Sequence, residues 1–168
     1  MPSLSDQLRI VRDQITLADD AALLAICRVD AFRGPGPGGQ KRNKTSNGIR
    51  VTHVASGATG QAVESRSAEK NRQLALGRLR LSAALQIRCA YNERPIGLTT
   101  PKSSNFAHTI ASVFDALEEH NYGLAETAER IGLTTSKLST LLTSDDAVLS
   151  EVNRQRQARG HRTLRRSD

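Results

Sequence analysis

A chain of 168 residues has room for one ordinary domain, or for a small domain with an appendage. Aromatics make up only 3% and there is no Trp, so Leu, Ile, Val and Ala must build the core, and stacking platforms for single-stranded bases are a poor fit. The net charge of +7 points to nucleic acid or another anionic surface. No apolar run approaches the ~18 residues of a membrane span, and Met1–Ile10 has no apolar core of signal-peptide length. Cys27 and Cys89 lie far apart without metal-ligand spacing and read as reduced, packed thiols of a cytoplasmic protein. The charge falls in blocks: −1 over residues 1–40, +8 over 41–94, −5 over 95–153 and +5 over 154–168. Two basic blocks flanking an acidic one mark where a polyanion is expected to touch.

Taken in order, residues 5–15 predict a short helix with Leu8, Val11 and Ile15 on one side, and Asp19-Asp20 predicts a cap for a further turn through Ala21–Leu24. Cys27 to Phe32 alternates, with Cys27, Val29 and Ala31 on one face, and predicts a strand. Ile49 to Val54 is β-branched, Gly57 offers a tight turn, and Gly60 to Ser65 predicts the returning strand. Ser67 caps a long helix running to about Ile87, with Glu69 in its first turn. That helix carries two apolar stripes, Leu74/Leu81/Leu85 and Leu76/Leu79/Ala83/Ile87, so a second packing partner is expected beyond the sheet. Residues 95–104, rich in Pro, Thr and Ser, read as a linker. Asn105 to His120 predicts a helix with Ile110, Val113, Phe114 and Leu117 inward. Leu124 to Leu142 has a helix-turn-helix pattern, with Ala128 for close approach, Gly132 at the turn, and Leu138 and Leu141 packing back. Asp145 to Asn153 predicts one more short helix, and Arg154 to Asp168 is expected to be disordered until it meets a polyanion.

The architecture expected is therefore α+β: a small antiparallel sheet with a long packed helix and an exposed glycine loop, followed by a small helical, helix-turn-helix-like module and a basic tail. The boundaries read as 1–94, a linker at 95–104, the module at 105–153 and the tail at 154–168.

Between the first two strands lies Gly34-Pro35-Gly36-Pro37-Gly38-Gly39-Gln40, followed by Lys41-Arg42-Asn43-Lys44. Glycine permits close backbone approach to a ligand, and proline stiffens what remains. As a bare Gly/Pro cluster this is a surface turn; beside a block of cations it suits insertion into a crowded anionic place. It lacks the Gly-Lys-Ser/Thr of a phosphate-binding P-loop, and a strand rather than a helix follows it, which excludes the dinucleotide fingerprint. No Ser-His-Asp or Cys-His signature, metal-ligand spacing or cofactor motif is visible. His53, on a strand, reads as a hydrogen-bonding structural residue.

Gly36-Pro37-Gly38-Gly39-Gln40 with Asn43-Lys44 resembles the catalytic loop of class I peptide chain release factors. Arg50-Val51-Thr52-His53 and Gly57 resemble that domain's second strand and hairpin, and Arg66-Ser67, Asn71-Arg72 and Ala75 resemble the start of its helix. The likeness covers roughly residues 20–88. Pro35 stands where the family usually has Ser or Ala, and Ala68 where it often has Gln.

The resemblance implies hydrolysis of the ester joining a nascent peptide to P-site tRNA, with Gly38, Gly39 and Gln40 as catalytic residues. Lys41, Arg42 and Lys44 would hold phosphates of ribosomal RNA or tRNA; Arg66, Lys70 and Arg72 read equally as RNA contacts or as a solvated helix face. It also implies the ribosome, with its large-subunit RNA and P-site peptidyl-tRNA, as partner, and a glutamine methyltransferase acting on Gln40. No membrane partner is expected. Only about 20 residues precede the likeness and no decoding elements are seen, so codon-independent rescue of stalled ribosomes is the expectation. The basic residues Arg154, Arg156, Arg159, Arg162, Arg165 and Arg166 would then bind RNA, as the tails of rescue hydrolases do in an empty mRNA channel. Residues 105–153 depart from that layout. The helix-turn-helix is acidic and offers Lys137 alone on its second helix, which disfavours DNA reading and favours a packing or protein-docking module. A non-catalytic ribosome- or RNA-binding protein keeping the same fold is the alternative.

Overall fold

Branched and small residues alternate between Cys27 and Ala62, and in the computed structural model, which describes residues 3–33, 47–92 and 96–166, they form three strands. β1 (Cys27–Phe32), β2 (Gly48–His53) and β3 (Thr59–Ala62) make an antiparallel sheet in chain order. Cys27 pairs with His53 and Phe32 with Gly48; Ile49 pairs with Ala62 and Thr52 with Thr59. The β2–β3 turn closes at Gly57, whose φ of 71° is the left-handed conformation that glycine adopts without a Cβ clash. The chain divides into two compact units, Ile10–Gln86 and Met1–Arg9 with Ile87–Asp168.

In the first unit, α3 (Ala68–Gln86) covers the sheet face that carries Ile49, Val51 and Ala62. Gly60 lets it come close: a Cβ there would run into the Ala75 carbonyl oxygen and the Leu79 nitrogen. Asn71, Ala75, Leu76, Leu79 and Ala83 form the buried stripe. The second stripe is not a matching core, since Leu74 is 44% exposed and Leu81 and Leu85 are half-buried. The helix lies over β2 and β3, and the β1 face expected to be inward is only partly covered, with Val29 40% exposed. α1 (Leu4–Leu17) starts with a reciprocal cap: the Ser3 hydroxyl donates to Asp6 at 2.7 Å and accepts from the Asp6 amide at 3.2 Å. Within this unit it buries Arg12, Ile15 and Thr16. α2 (Asp20–Ala25) is capped by Asp19, which accepts from the Ala22 amide at 2.8 Å.

The other unit holds α4 (Phe106–Glu119), α5 (Leu124–Arg130), α6 (Thr135–Thr143) and α7 (Asp146–Ala158). Ile110, Val113, Phe114, Leu117, Leu138, Leu142, Val148 and Val152 are fully buried. The expected helix-turn-helix is α5, a left-handed Gly132 (φ 72°), and α6 capped by Thr134, which accepts from the Lys137 amide at 3.2 Å.

The expectation of a disordered tail from Arg154 is corrected here. α7 runs through Arg154 and Arg156 to Ala158, because Val148, Val152 and Arg156 recur every four residues on its buried side. The segment beyond it turns back. Asn153 donates to the Leu164 carbonyl at 3.0 Å and accepts from the Leu164 amide at 2.7 Å, and Arg166 donates to the Thr143 carbonyl at 2.9 Å. Composition suggested disorder; these side-chain bonds to backbone supply what an apolar core would otherwise have to.

Candidate functional site

The glycine loop joins β1 to β2, and its candidate residues Gly38, Gly39, Gln40, Lys41, Arg42 and Lys44 lie outside the described residues. The roots of the loop are described, and the sequence explains how they are held. Phe32 and Gly48 are register partners, so the two ends stand side by side across one antiparallel pair. Gly48 is required there, because a Cβ would lie 2.8 Å from the Phe32 carbonyl oxygen and 3.1 Å from its ring. The Arg50 guanidinium sits 5.3 Å from the centre of the Phe32 ring, covering it from solvent with a cation–π contact.

Asn71 fastens the exit of the loop to the helix. Its side chain is fully buried at the start of α3. The amide nitrogen donates to the carbonyls of Asn47 (2.6 Å) and Ser65 (2.8 Å), and the amide oxygen accepts from the Ser65 N–H at 2.9 Å. Three backbone groups that no strand or helix pairs are thus satisfied by one side chain, where leaving them bare would cost about 1–3 kcal/mol each. Sequence reasoning noted Asn71 only as a landmark of the resemblance. The signal that could have revealed its role is an amide standing at position 71 of an otherwise apolar 71/75/79 stripe, where a buried polar side chain must have partners.

Of the cations expected near the loop, Arg66 and Lys70 are exposed and make no ion pair among the described residues, whereas Arg72 pairs with Glu69 at 2.8 Å. In the C-terminal set, Arg154 pairs with Glu151 at 2.6 Å, Arg159 with Glu118 at 2.8 Å and Arg166 with Asp146 at 2.7 Å. Arg162 and Arg165 are exposed. Arg156 is turned inward, donating to the Tyr122 carbonyl at 2.5 Å and the Arg162 carbonyl at 2.9 Å, so it holds the fold rather than facing a ligand.

His53 is 2% exposed and belongs to the hairpin. Its Nδ1 accepts from the Ser56 amide at 3.2 Å, which leaves the other nitrogen to carry the proton, and burial lowers its pKa. A buried neutral imidazole bonded to its own turn positions backbone and meets no substrate. Glu64 is held near pKa 2 by its hydrogen bond from Arg78, helped by backbone N–H groups. The described residues at the loop roots thus supply a rigid, basic support and no general base.

Two comparisons bear on this arrangement. Residues 24–105 match the family model described as the RF-1 domain. No solved structure matches the chain. Among the described residues no helix is long and apolar enough to cross a membrane.

Proposed function

From the premise that residues 24–105 are a class I release-factor-like domain, with a release-factor-like role in translation termination or rescue, we propose that the chain hydrolyses the peptidyl-tRNA ester on ribosomes without reading a stop codon. The observation that carries this is the match to the RF-1 domain over the stretch that contains Gly38-Gly39-Gln40. The roots of that loop, pinned by Asn71 and Gly48, give its tip a firm base. The arginine-rich C-terminal stretch, with Arg154, Arg162 and Arg165 exposed, supports the codon-independent form of the reading.

Ester hydrolysis needs a positioned water and a donor for the oxygen on which negative charge grows. In this proposal the Gln40 backbone N–H donates to that oxygen and its side-chain amide orients the water. Gly38 and Gly39 let the backbone approach the ester without a Cβ in the way. Lys41, Arg42 and Lys44 grip phosphates of ribosomal RNA or tRNA and set the register of the loop without reading sequence. Catalysis then rests on position and electrostatics, and Gln40 is the substrate of a glutamine methyltransferase.

The test is release of peptide from ribosomes stalled on truncated mRNA. The wild-type chain should release peptide, and Gly39→Ala, which adds a Cβ in the path of the ester, and Gln40→Ala, which removes the water-orienting amide and keeps the backbone N–H, should each lower the rate by about 10²-fold, the loss expected when reacting groups are misplaced. A wild-type chain that binds these ribosomes yet releases no more peptide than its variants would establish the non-catalytic binding reading instead.

A further inference from the structure

The sheet has a second face, which α3 does not cover. Alternation places Arg28, Asp30 and Phe32 of β1, Arg50 and Thr52 of β2, and Thr59 and Gln61 of β3 on it together. Most of these residues, with Arg78 of α3, line an open cleft of about 630 Å³. Register sets Arg28 opposite Thr52 and Arg50 opposite Gln61. Arg28 and Arg50 are therefore diagonal neighbours on adjacent strands, with backbones about 7–8 Å apart, and Arg78 continues the row beyond β3.

Each guanidinium is held in place. Arg28 bonds Asp30 at 3.0 Å, Arg78 donates to the Gln61 carbonyl at 2.7 Å and pairs with Glu64, and Arg50 donates to the Gln61 side chain at 3.2 Å while stacking on Phe32. The nearby carboxylates, Asp30 and Glu64, are both engaged by arginines, and Arg50 has no carboxylate partner among the described residues. A guanidinium already ordered by stacking and a hydrogen bond loses little freedom when it takes up an anion. Between the arginines the cleft is floored by Thr52 and Thr59 hydroxyls and the Gln61 amide. That lining rejects an apolar small molecule. It fits a hydrated polyanion lying across the strands.

We propose that this face is a binding site for the sugar–phosphate backbone of RNA. Arg28, Arg50 and Arg78 meet phosphates, and Gln61 and the two threonines meet ribose hydroxyls. Because Arg50 rests on Phe32, the last residue of β1 before the glycine loop, RNA held across the strands braces the sheet beside the root of that loop. Which RNA fills the site rests on the ribosomal reading above; the chemistry of the site does not.

The experiment compares the full chain with R28Q/R50Q and R28K/R50K. Binding is measured over a range of salt concentrations to two probes, a CCA-ended acceptor-stem hairpin and purified large ribosomal subunits, with thermal midpoints alongside. R28Q/R50Q should bind about tenfold more weakly at low salt, with the slope of log affinity against log salt reduced by about 1 for each arginine removed. R28K/R50K should keep most of the slope, because lysine still neutralises a phosphate. Loss on the hairpin identifies tRNA as the occupant, and loss on the subunits alone identifies ribosomal RNA. An unchanged slope in R28Q/R50Q, or equal loss in both double variants with lowered midpoints, overturns the proposal. Peptide release measured with Gln40→Ala separates the two readings: a wild-type chain without release activity but with the arginine-dependent slope would remove the hydrolase and leave the RNA site standing.

Discussion

Asn71 in the sheet unit and Arg156 in the helical unit are both buried polar side chains that hold a stretch of irregular backbone, and their chemistry differs. Asn71 is neutral, fully enclosed, and uses two donations and one acceptance to tie Asn47 and Ser65 to α3. Arg156 is 7% exposed, donates to the carbonyls of Tyr122 and Arg162, and its burial lowers its pKa. An amide has no charge to desolvate and can be fully enclosed where its partners are backbone groups. A guanidinium keeps a route to water and suits the margin of a bundle, where it holds residues 159–166 as a strap. The lesson is that the support of the loop is specified by close packing, and the strap by charge-assisted bonds to backbone.

The sharpest way to break this contrast is to disturb a glycine in each unit. Gly60→Ala drives a methyl group into α3 backbone and should destabilise the sheet unit by about 3 kcal/mol, the upper range for overpacking. Gly132→Ala has open space around it and should lose only about 1 kcal/mol, from the left-handed φ. Urea unfolding followed by amide signals of each unit reads both. Equal effects would show that close approach is not what limits the sheet unit.

Removing the two polar holders comes next. Asn71→Ala strands one N–H and two carbonyls and should cost about 2–3 kcal/mol; Arg156→Ala strands two carbonyls, the buried one of Tyr122 and that of the exposed Arg162, and should cost about 1–2 kcal/mol. Hydrogen exchange should rise at Ser65 in the first variant and at His161 and Leu164 in the second. Protection that survives at these amides would deny the side chains their role.

The smallest effect is electrostatic. Glu64 has a folded pKa of about 2, below its ordinary 4.5, so the unfolded chain takes up the proton first as pH falls. Its contribution is complete above pH 4.5 and is lost as pH drops through about 2; because the carboxylate is exposed, the loss is small. The carboxyl carbon in an NMR titration should show this low midpoint, and Arg78→Gln should raise it towards 4.5. His53 acts in a higher window with the same sign: its pKa is lowered from 6.5, so its contribution is complete above that value and declines as pH falls below it. A wild-type Glu64 midpoint near 4.5 would mean that Arg78 does not hold it.

Much was legible in the sequence because it depends on local pattern. Alternation gave β1 and β-branching gave β2 nearly residue by residue, Asp19 marked a cap, and Gly57 and Gly132 marked turns. The Gly-Gly-Gln motif and its landmarks pointed to the release-factor-like domain that the family match supports. Three features depended on partners distant in the chain, and only the tertiary structure decided them. Asn71 became a clamp because folding brought Asn47, 24 positions away, within 2.6 Å. The expected tail became a strap because Arg156 found Tyr122, 34 positions away. Alternation could show that Arg28, Arg50 and Gln61 each lie on a strand face, but only register and the side α3 covers made that face one polar cleft. Periodicity reports which side of an element is apolar; what a polar side chain reaches is set by the path of the chain.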